Sequence, residues 1–270
     1  IILNVFLFFL NSNFISHLIS NSFPAPRSIQ AVDLDKDFDI DIVTVSQDLD
    51  MVAWYENDGN QNFNINIISS SRDGAHSAQV KDFDKDGDND VIVASTYDNT
   101  IAWYENDGNQ NFTEHVISDS AFGAHSVFLE DIDHDGKIDI LAALYYSNSI
   151  AWFKNANNYN FEFNIIDSLS VGAYNAKIID IESDGDFDIY AASYYDNTIA
   201  WYENDGNQNF TKIIIDNNAL GAHNIRSIDI DMDTDFDIIA ASSEDNTIAW
   251  YENDGNQNFT KIIIDNNATG

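Results

Sequence analysis

Cysteine is absent, so the chain has no disulfide, no thiolate metal site and no cysteine nucleophile. Proline occurs twice, too rarely for a collagen-like or polyproline segment. Basic side chains are scarce: 11 lysines and arginines face 46 aspartates and glutamates in 270 residues, a formal charge of −35. A nucleic-acid partner is thereby excluded, because phosphate backbones are held by clustered Lys and Arg. No uninterrupted apolar run reaches the 18 residues of a membrane-spanning helix. The charge does not mark a disordered chain either. The hydrophobic fraction is 44% and the aromatic fraction 13%, enough to build a core.

Residues 1–10, IILNVFLFFL, are apolar but too short to span a bilayer. They resemble the central region of a signal peptide, without an initiator Met or basic start, so residues 1–12 are expected to be its remnant and the protein to be secreted or held at a cell surface. The alternative for this run is a buried strand.

One phrase organises the rest. Trp54, Trp103, Trp152, Trp201 and Trp250 recur every 49 residues, as do Asp33, Asp82, Asp131, Asp180 and Asp229. IAWYENDGNQNF stands at 101–112, 199–210 and 248–259, with close variants at 52–63 and 150–161. Five copies in strict register imply one supersecondary unit stacked five times, at 25–73, 74–122, 123–171, 172–220 and 221–270. Each copy reads as four short strands rich in β-branched and aromatic residues, bounded by Asn, Asp and Gly. An Asp-Gly turn is expected between strands three and four. No stretch sustains a helical period. Four strands in a repeat of this length indicate an all-β chain of four-stranded antiparallel blades, a β-propeller, whereas the coils of a β-solenoid are shorter. The recurring Trp is expected to pack blade on blade. Residues 13–24 align with the fourth strand of the repeat, as a closing blade would require. Five full blades are thus expected to be part of a six- or seven-bladed ring, with one or two further repeats beyond Gly270.

Between strands one and two of every copy lies a nine-residue acidic loop. It carries Asp33, Asp35, Asp37, Asp39 and Asp41 in the first copy and Asp82, Asp84, Asp86, Asp88 and Asp90 in the second. Asp131, Asp133, Asp135, Lys137 and Asp139 form the third, and Asp180, Glu182, Asp184, Asp186 and Asp188 the fourth. Asp229, Asp231, Asp233, Asp235 and Asp237 form the fifth. Carboxylates at positions one, three, five and nine can converge on one point in a curling loop. Two such charges 5 Å apart repel by roughly 3 kcal/mol at an effective dielectric near 20, so a cation is expected between them. Oxygen ligands without His or Cys select Ca²⁺ over zinc or copper, and Mg²⁺ prefers stricter geometry and retained water. Up to five Ca²⁺ ions are expected. Side chains one, three and five would coordinate, position seven would offer its carbonyl (so Lys137 is tolerable), and position nine would close the site. Position six calls for glycine in a left-handed turn. Gly87, Gly136 and Gly185 comply, whereas Phe38 and Thr234 do not, so the first and fifth loops are expected to bind weakly or distort. The alternative throughout is a solvated acidic hairpin. An EF-hand is excluded because no helical pattern flanks these loops.

DxDxDGDxD before a strand, repeated at blade spacing over residues 13–270, resembles the FG-GAP or VCBS repeat family. The words FG and GAP are eroded here to GAHS and GAYN. Similar repeats build the seven-bladed propellers of integrin α chains and of secreted bacterial and fungal proteins. The resemblance implies Ca²⁺ in the loops between strands one and two, and a ligand face at the opposite end.

That opposite end carries His76, His125, Tyr174 and His223 at one repeat position, Arg27 in the first copy, and Tyr97, Tyr146 and Tyr195 at another. Such a rim suits an extracellular glycan or protein ligand. The competing reading is that these residues and the Asp-Asn-Thr runs cap turns. A His-bound transition metal is not expected, because neighbouring blades would hold the rings too far apart. Among catalytic motifs, GxSxG, HExxH and phosphate-binding glycine loops are all missing, so no catalytic residue is assigned. Three classes remain: a calcium-stabilised binding or adhesion module, the propeller domain of a carbohydrate-active enzyme (a lyase or glycosidase), and a structural spacer. An enzyme should break the repeat with an insertion, and the 49-residue period never breaks.

Overall fold

A computed structural model describes residues 18–268 apart from residue 158. The described chain is all-β: twenty strands in five four-stranded antiparallel sheets, each built from four consecutive strands. The first sheet comprises β1 (Pro26–Val32), β2 (Asp41–Ser46), β3 (Met51–Asn57) and β4 (Phe63–Ser69). The second comprises β5 (Ala75–Lys81), β6 (Asp90–Ser95), β7 (Thr100–Asn106) and β8 (Phe112–Ser118). The third is β9 (Ala124–Glu130), β10 (Asp139–Leu144), β11 (Ser149–Asn157) and β12 (Asn160–Asp167). The fourth is β13 (Ala173–Ile179), β14 (Asp188–Ser193), β15 (Thr198–Asn204) and β16 (Phe210–Asp216). The fifth is β17 (Ala222–Ile228), β18 (Asp237–Ser242), β19 (Thr247–Asn253) and β20 (Phe259–Asp265).

The second strand of each sheet is the most apolar, and β6, β10 and β14 are buried along their whole length. Both faces of these strands are covered because each sheet packs on its neighbours. Four hydrophobic clusters fill the four gaps between successive sheets. Trp54, Trp103 and Trp152 each join one of them, as a packing Trp should. No such cluster joins the fifth sheet to the first among the described residues. Polar straps reinforce two gaps. Asp167 accepts from Tyr202 Oη at 2.8 Å and pairs with Lys212 at 2.7 Å, and Asp216 holds Tyr251 and Lys261 in the same way, each at 2.7 Å.

Two local expectations change. In the first, second, fourth and fifth sheets strands three and four are joined by five residues, not by a two-residue Asp-Gly turn; in the third, β11 runs to Asn157 and β12 starts at Asn160. Asp205 N–H donates to the Asn209 carbonyl at 3.2 Å, and the Asp205 carboxylate accepts from the backbones of Asn207 and Asn209. The longer loop forms because this carboxylate supplies the turn's internal bonds. The strand expected over 13–24 falls partly outside the described residues, and residues 18–24 form none. A strand exists only with a partner to pair with; here Phe23 instead sets its ring edge-on to Tyr55 at 6.0 Å.

Candidate functional site

The acidic loops share one fold. The first carboxylate accepts the position-six N–H through Oδ2: Phe38 onto Asp33 at 3.1 Å, Gly87 onto Asp82 at 3.1 Å and Gly136 onto Asp131 at 2.8 Å. Its other oxygen, Oδ1 of Asp33, Asp82 and Asp131, is buried and has no hydrogen-bond partner. A carboxylate oxygen is not left buried and bare without a reason. In four loops three acids bring oxygens within 4.8 Å of one another: Asp33, Asp35 and Asp37; Asp82, Asp84 and Asp86; Asp131, Asp133 and Asp139; Asp229, Asp231 and Asp237. The side chains present therefore fit a hard divalent cation.

Phe38 and Thr234 adopt the same left-handed turn as the glycines, with φ of 77° and 86°, so the first and fifth loops are not distorted. Room explains it: a Cβ at Gly87, Gly136 or Gly185 would meet nothing within 4 Å, and only conformational strain opposes a side chain there. The loop that departs is the fourth. The extra methylene of Glu182 brings its carboxyl to Asp188, and burial, with that contact, pushes Glu182 up to about 8.

Position nine is not the simple closing ligand expected. Asp41, Asp90, Asp139, Asp188 and Asp237 are fully buried at 0% exposure. Both oxygens of Asp90 accept backbone N–H groups, from Phe83 at 3.1 Å and from Asn106 at 2.8 Å, and the other four repeat this pair. The residue clamps the loop to the end of the third strand. Burial pushes Asp90 and Asp139 up to about 6 even though those N–H groups pull the other way. Position seven also points elsewhere. A Cβ at Gly108 would lie 2.5 Å from Asp88 Oδ2, so the Asp side chain packs on the glycine of the neighbouring hairpin. In the third copy that glycine is Asn157, and Lys137 replaces the Asp, donating to Asp135 Oδ2 at 2.8 Å and the Ala156 carbonyl at 2.7 Å.

Sequence reasoning missed three features here. Position four is left-handed in every loop, at Lys36, Lys85, His134, Ser183 and Met232. Three of these side chains reach into the next loop: Lys36 to Asp88, Lys85 to the Gly136 carbonyl and His134 to the Gly185 carbonyl. Glu56 and Glu105, in the YEN of the third strand, lie close enough to Asp35 and Asp84 to raise them, though burial raises both acids more. In the third copy this Glu is Lys154, whose ammonium pairs with Asp133. The YEN-to-FKN change was the available signal.

The histidine row lies elsewhere than expected. Arg27, His76, His125, Tyr174 and His223 sit at β-bulges in the innermost strands β1, β5, β9, β13 and β17, not on inter-repeat turns. A bulge re-aims its extra residue, and here it turns the rings into the central space. Centroids lie 3.5 Å apart for His76 and His125, 3.8 Å for His125 and Tyr174, and 3.9 Å for Tyr174 and His223. Neighbouring copies are therefore not too far apart. The rings contact one another in a tilted row, with interplanar angles of 37°, 56° and 37°, and each Nδ1 of His76 and His125 bonds the next copy's carbonyl, at 2.9 and 3.1 Å. Burial pushes His76 down to about 4 and holds His125 well below the ordinary histidine value. These lowered values mean the unfolded chain takes up protons below about pH 6.5 while the native ring row does not, so stability falls with acid. Between pH 7 and 5 the wild type is expected to lose about 2 kcal/mol more than His125→Phe in urea titrations. An equal loss would show that this ring does not resist protonation.

Tyr97, Tyr146 and Tyr195 do stand on the β6–β7, β10–β11 and β14–β15 turns, half-exposed or more. Each fits because the preceding glycine lacks a side chain: a Cβ at Gly74 would lie 2.6 Å from Tyr97 Cδ2. The Asn of each turn ties the repeats instead, as Asn99 Oδ1 accepting Gly123 N–H at 2.8 Å shows. Tyr145 and Tyr194, not singled out from the sequence, extend the aromatic rim, with Tyr145 and Tyr195 centroids 5.5 Å apart.

Tandem four-stranded sheets, each with a carboxylate loop between its first two strands, define a repeat protein of β-propeller type. Residues 33–93, 82–142, 131–191 and 180–240 match the FG-GAP-like repeat, and the chain belongs to that family. The sequence matches no curated protein. Among solved structures, a protein from Lactobacillus plantarum superposes with TM-score 0.60 at 14% identity, over 88% of this chain and 70% of that one. A chain of a nidogen–laminin complex gives 0.58 at 7%, over 84% and 75%. The V. cholerae biofilm matrix protein Bap1 gives 0.54 at 17%, over 90% of this chain and 39% of its own. Identities this low establish a shared fold alone.

Proposed function

We propose that the chain is the greater part of a secreted, calcium-stabilised β-propeller of six or seven blades that binds a glycan or protein through its tyrosine rim. The observation that carries the calcium assignment is the bare buried Oδ1 repeated in Asp33, Asp82 and Asp131 beside converging carboxylates. All-oxygen donors on a flexible loop favour Ca²⁺. Its chemistry here is electrostatic: it cancels repulsion and fixes the loop. Positions one and three would hold it, joined by position five in the first two loops and by position nine in the third and fifth, with the position-seven carbonyl. The apolar run 1–10 supports export. The unbroken period supports binding over catalysis, and a spacer role would leave the rim without purpose. Tb³⁺ in place of Ca²⁺ should show Trp-sensitised emission, since Trp103 adjoins Asp90. Millimolar Ca²⁺ should quench it. No emission and no heat of Ca²⁺ binding would end this reading.

The third loop is expected to bind worst, because Lys137 and Lys154 already neutralise Asp135 and Asp133. Lys154→Glu, restoring the residue of the other copies, should tighten the weakest Ca²⁺ step about tenfold in calorimetry, the equivalent of about 1.4 kcal/mol. An unchanged isotherm would show that Lys154 does not compete. For the rim, Tyr146→Ala should weaken binding on a glycan array while leaving Ca²⁺ affinity intact.

A further inference from the structure

The innermost strands line a cavity of about 260 Å³ whose wall includes the histidine row. Its wall reverses the character of the molecule. Arg27, Lys177 and Arg226 line it, three of the chain's 11 basic residues, while none of the 46 acidic residues does. Lys177 is 7% exposed, and its ammonium makes no hydrogen bond or ion pair among the described residues. Its close neighbour is the Phe128 ring, 4.7 Å from Nζ. The other seven lysines all donate to a carboxylate or carbonyl. Burying an ammonium without a counter-charge is costly. Beside it on β13, Asn175 Oδ1 is buried without a partner, and its amide can turn an N–H₂ toward the same space. Burial and the facing Arg226 push Lys177 down to about 7, a penalty that an anion between the two cations would remove.

We propose that this cavity binds a small oxyanion, a carboxylate or sulfate group, with Lys177 at its depth, Asn175 beside it and the more exposed Arg226 at its edge. The volume lies below the roughly 300–1,000 Å³ of drug-sized pockets, so the occupant is a free ion or the acidic group of one sugar unit. No residue of the calcium loops lines this site, and neither does Tyr97, Tyr146 or Tyr195 of the rim.

The test is calorimetric titration of the full chain in calcium, at constant ionic strength, with sodium sulfate, acetate and glucuronate. Saturable binding at millimolar or tighter Kd is expected, weakened at least tenfold in Lys177→Met or Arg226→Gln and unchanged in Lys261→Met, which removes an outer-strand cation. Glucuronate binding more tightly than acetate would assign the anion to a sugar acid; equal affinity would assign it to the free ion. Should Lys177→Met fail to fold, Arg226→Gln decides alone, its side chain being exposed. No saturable binding of any of the three anions, or binding unchanged in both variants, overturns the proposal. Ca²⁺ affinity of the same variants should not move, so a failure of the loops and a failure of the cavity read separately.

Discussion

Removal of divalent cations with EDTA is expected to lower the melting temperature by about 10–20 °C, and millimolar Ca²⁺ to restore it better than Mg²⁺. Ligand that binds only the folded state stabilises by RT ln(1 + [L]/Kd) per site. Extracellular calcium modules have Kd of roughly 10⁻⁴–10⁻³ M. At about 2 mM Ca²⁺ and a Kd near 2 × 10⁻⁴ M each site contributes about 1.4 kcal/mol. The four loops whose carboxylates converge would then supply about 5–6 kcal/mol, a large share of a marginal total. For a chain of this size each kcal/mol moves the midpoint by about 2–4 °C. The loops cannot relieve their charge otherwise: beyond Lys36, Lys137 and Lys154 no lysine pairs with a loop carboxylate among the described residues. Differential scanning calorimetry after verified metal removal makes the measurement. An unmoved midpoint would reduce the loops to acidic hairpins.

Asp90→Ala is expected to cost about 3–5 kcal/mol, and to do so in EDTA as fully as in calcium. The substitution strands two buried backbone donors, Phe83 N–H and Asn106 N–H, each worth about 1–3 kcal/mol when left unpaired. Asp86→Ala should behave in the opposite manner. Its carboxylate is exposed and accepts only the Asp88 N–H, so in EDTA its loss should cost under about 1 kcal/mol, while the calcium-dependent rise in melting temperature shrinks. Chemical denaturation of both variants with and without Ca²⁺ separates clamp from ligand. If Asp90→Ala hurts only in calcium, position nine is a ligand after all, and its backbone bonds are incidental.

Much of the molecule was legible because repetition amplifies weak signals. A single TIAWYEN could be a strand or a buried segment; three copies and two variants at one spacing leave only a stacked supersecondary unit. The strands, the sheet count, the acidic loops and the exposed Tyr97, Tyr146 and Tyr195 all follow from short-range patterns, since alternation, turn residues and carboxylate spacing act over a few residues. The sequence alone therefore determined an all-β repeat of the FG-GAP-like kind with cation-ready loops. Tertiary structure decided what depends on distances between copies. Asp90 and Asp86 look alike in the chain, but one is sunk between strands against two N–H groups and the other faces water. His76 and His125 are 49 residues apart yet their rings lie in contact, centroids 3.5 Å apart, because a bulge in each inner strand turns them inward. Lys177 stands in a strand that reads like its neighbours, and only the meeting of the inner strands leaves its charge facing other cations. Side-chain direction across a packed interface is set by bulges and by the approach of neighbouring sheets, and neither leaves a mark in the local pattern of residues.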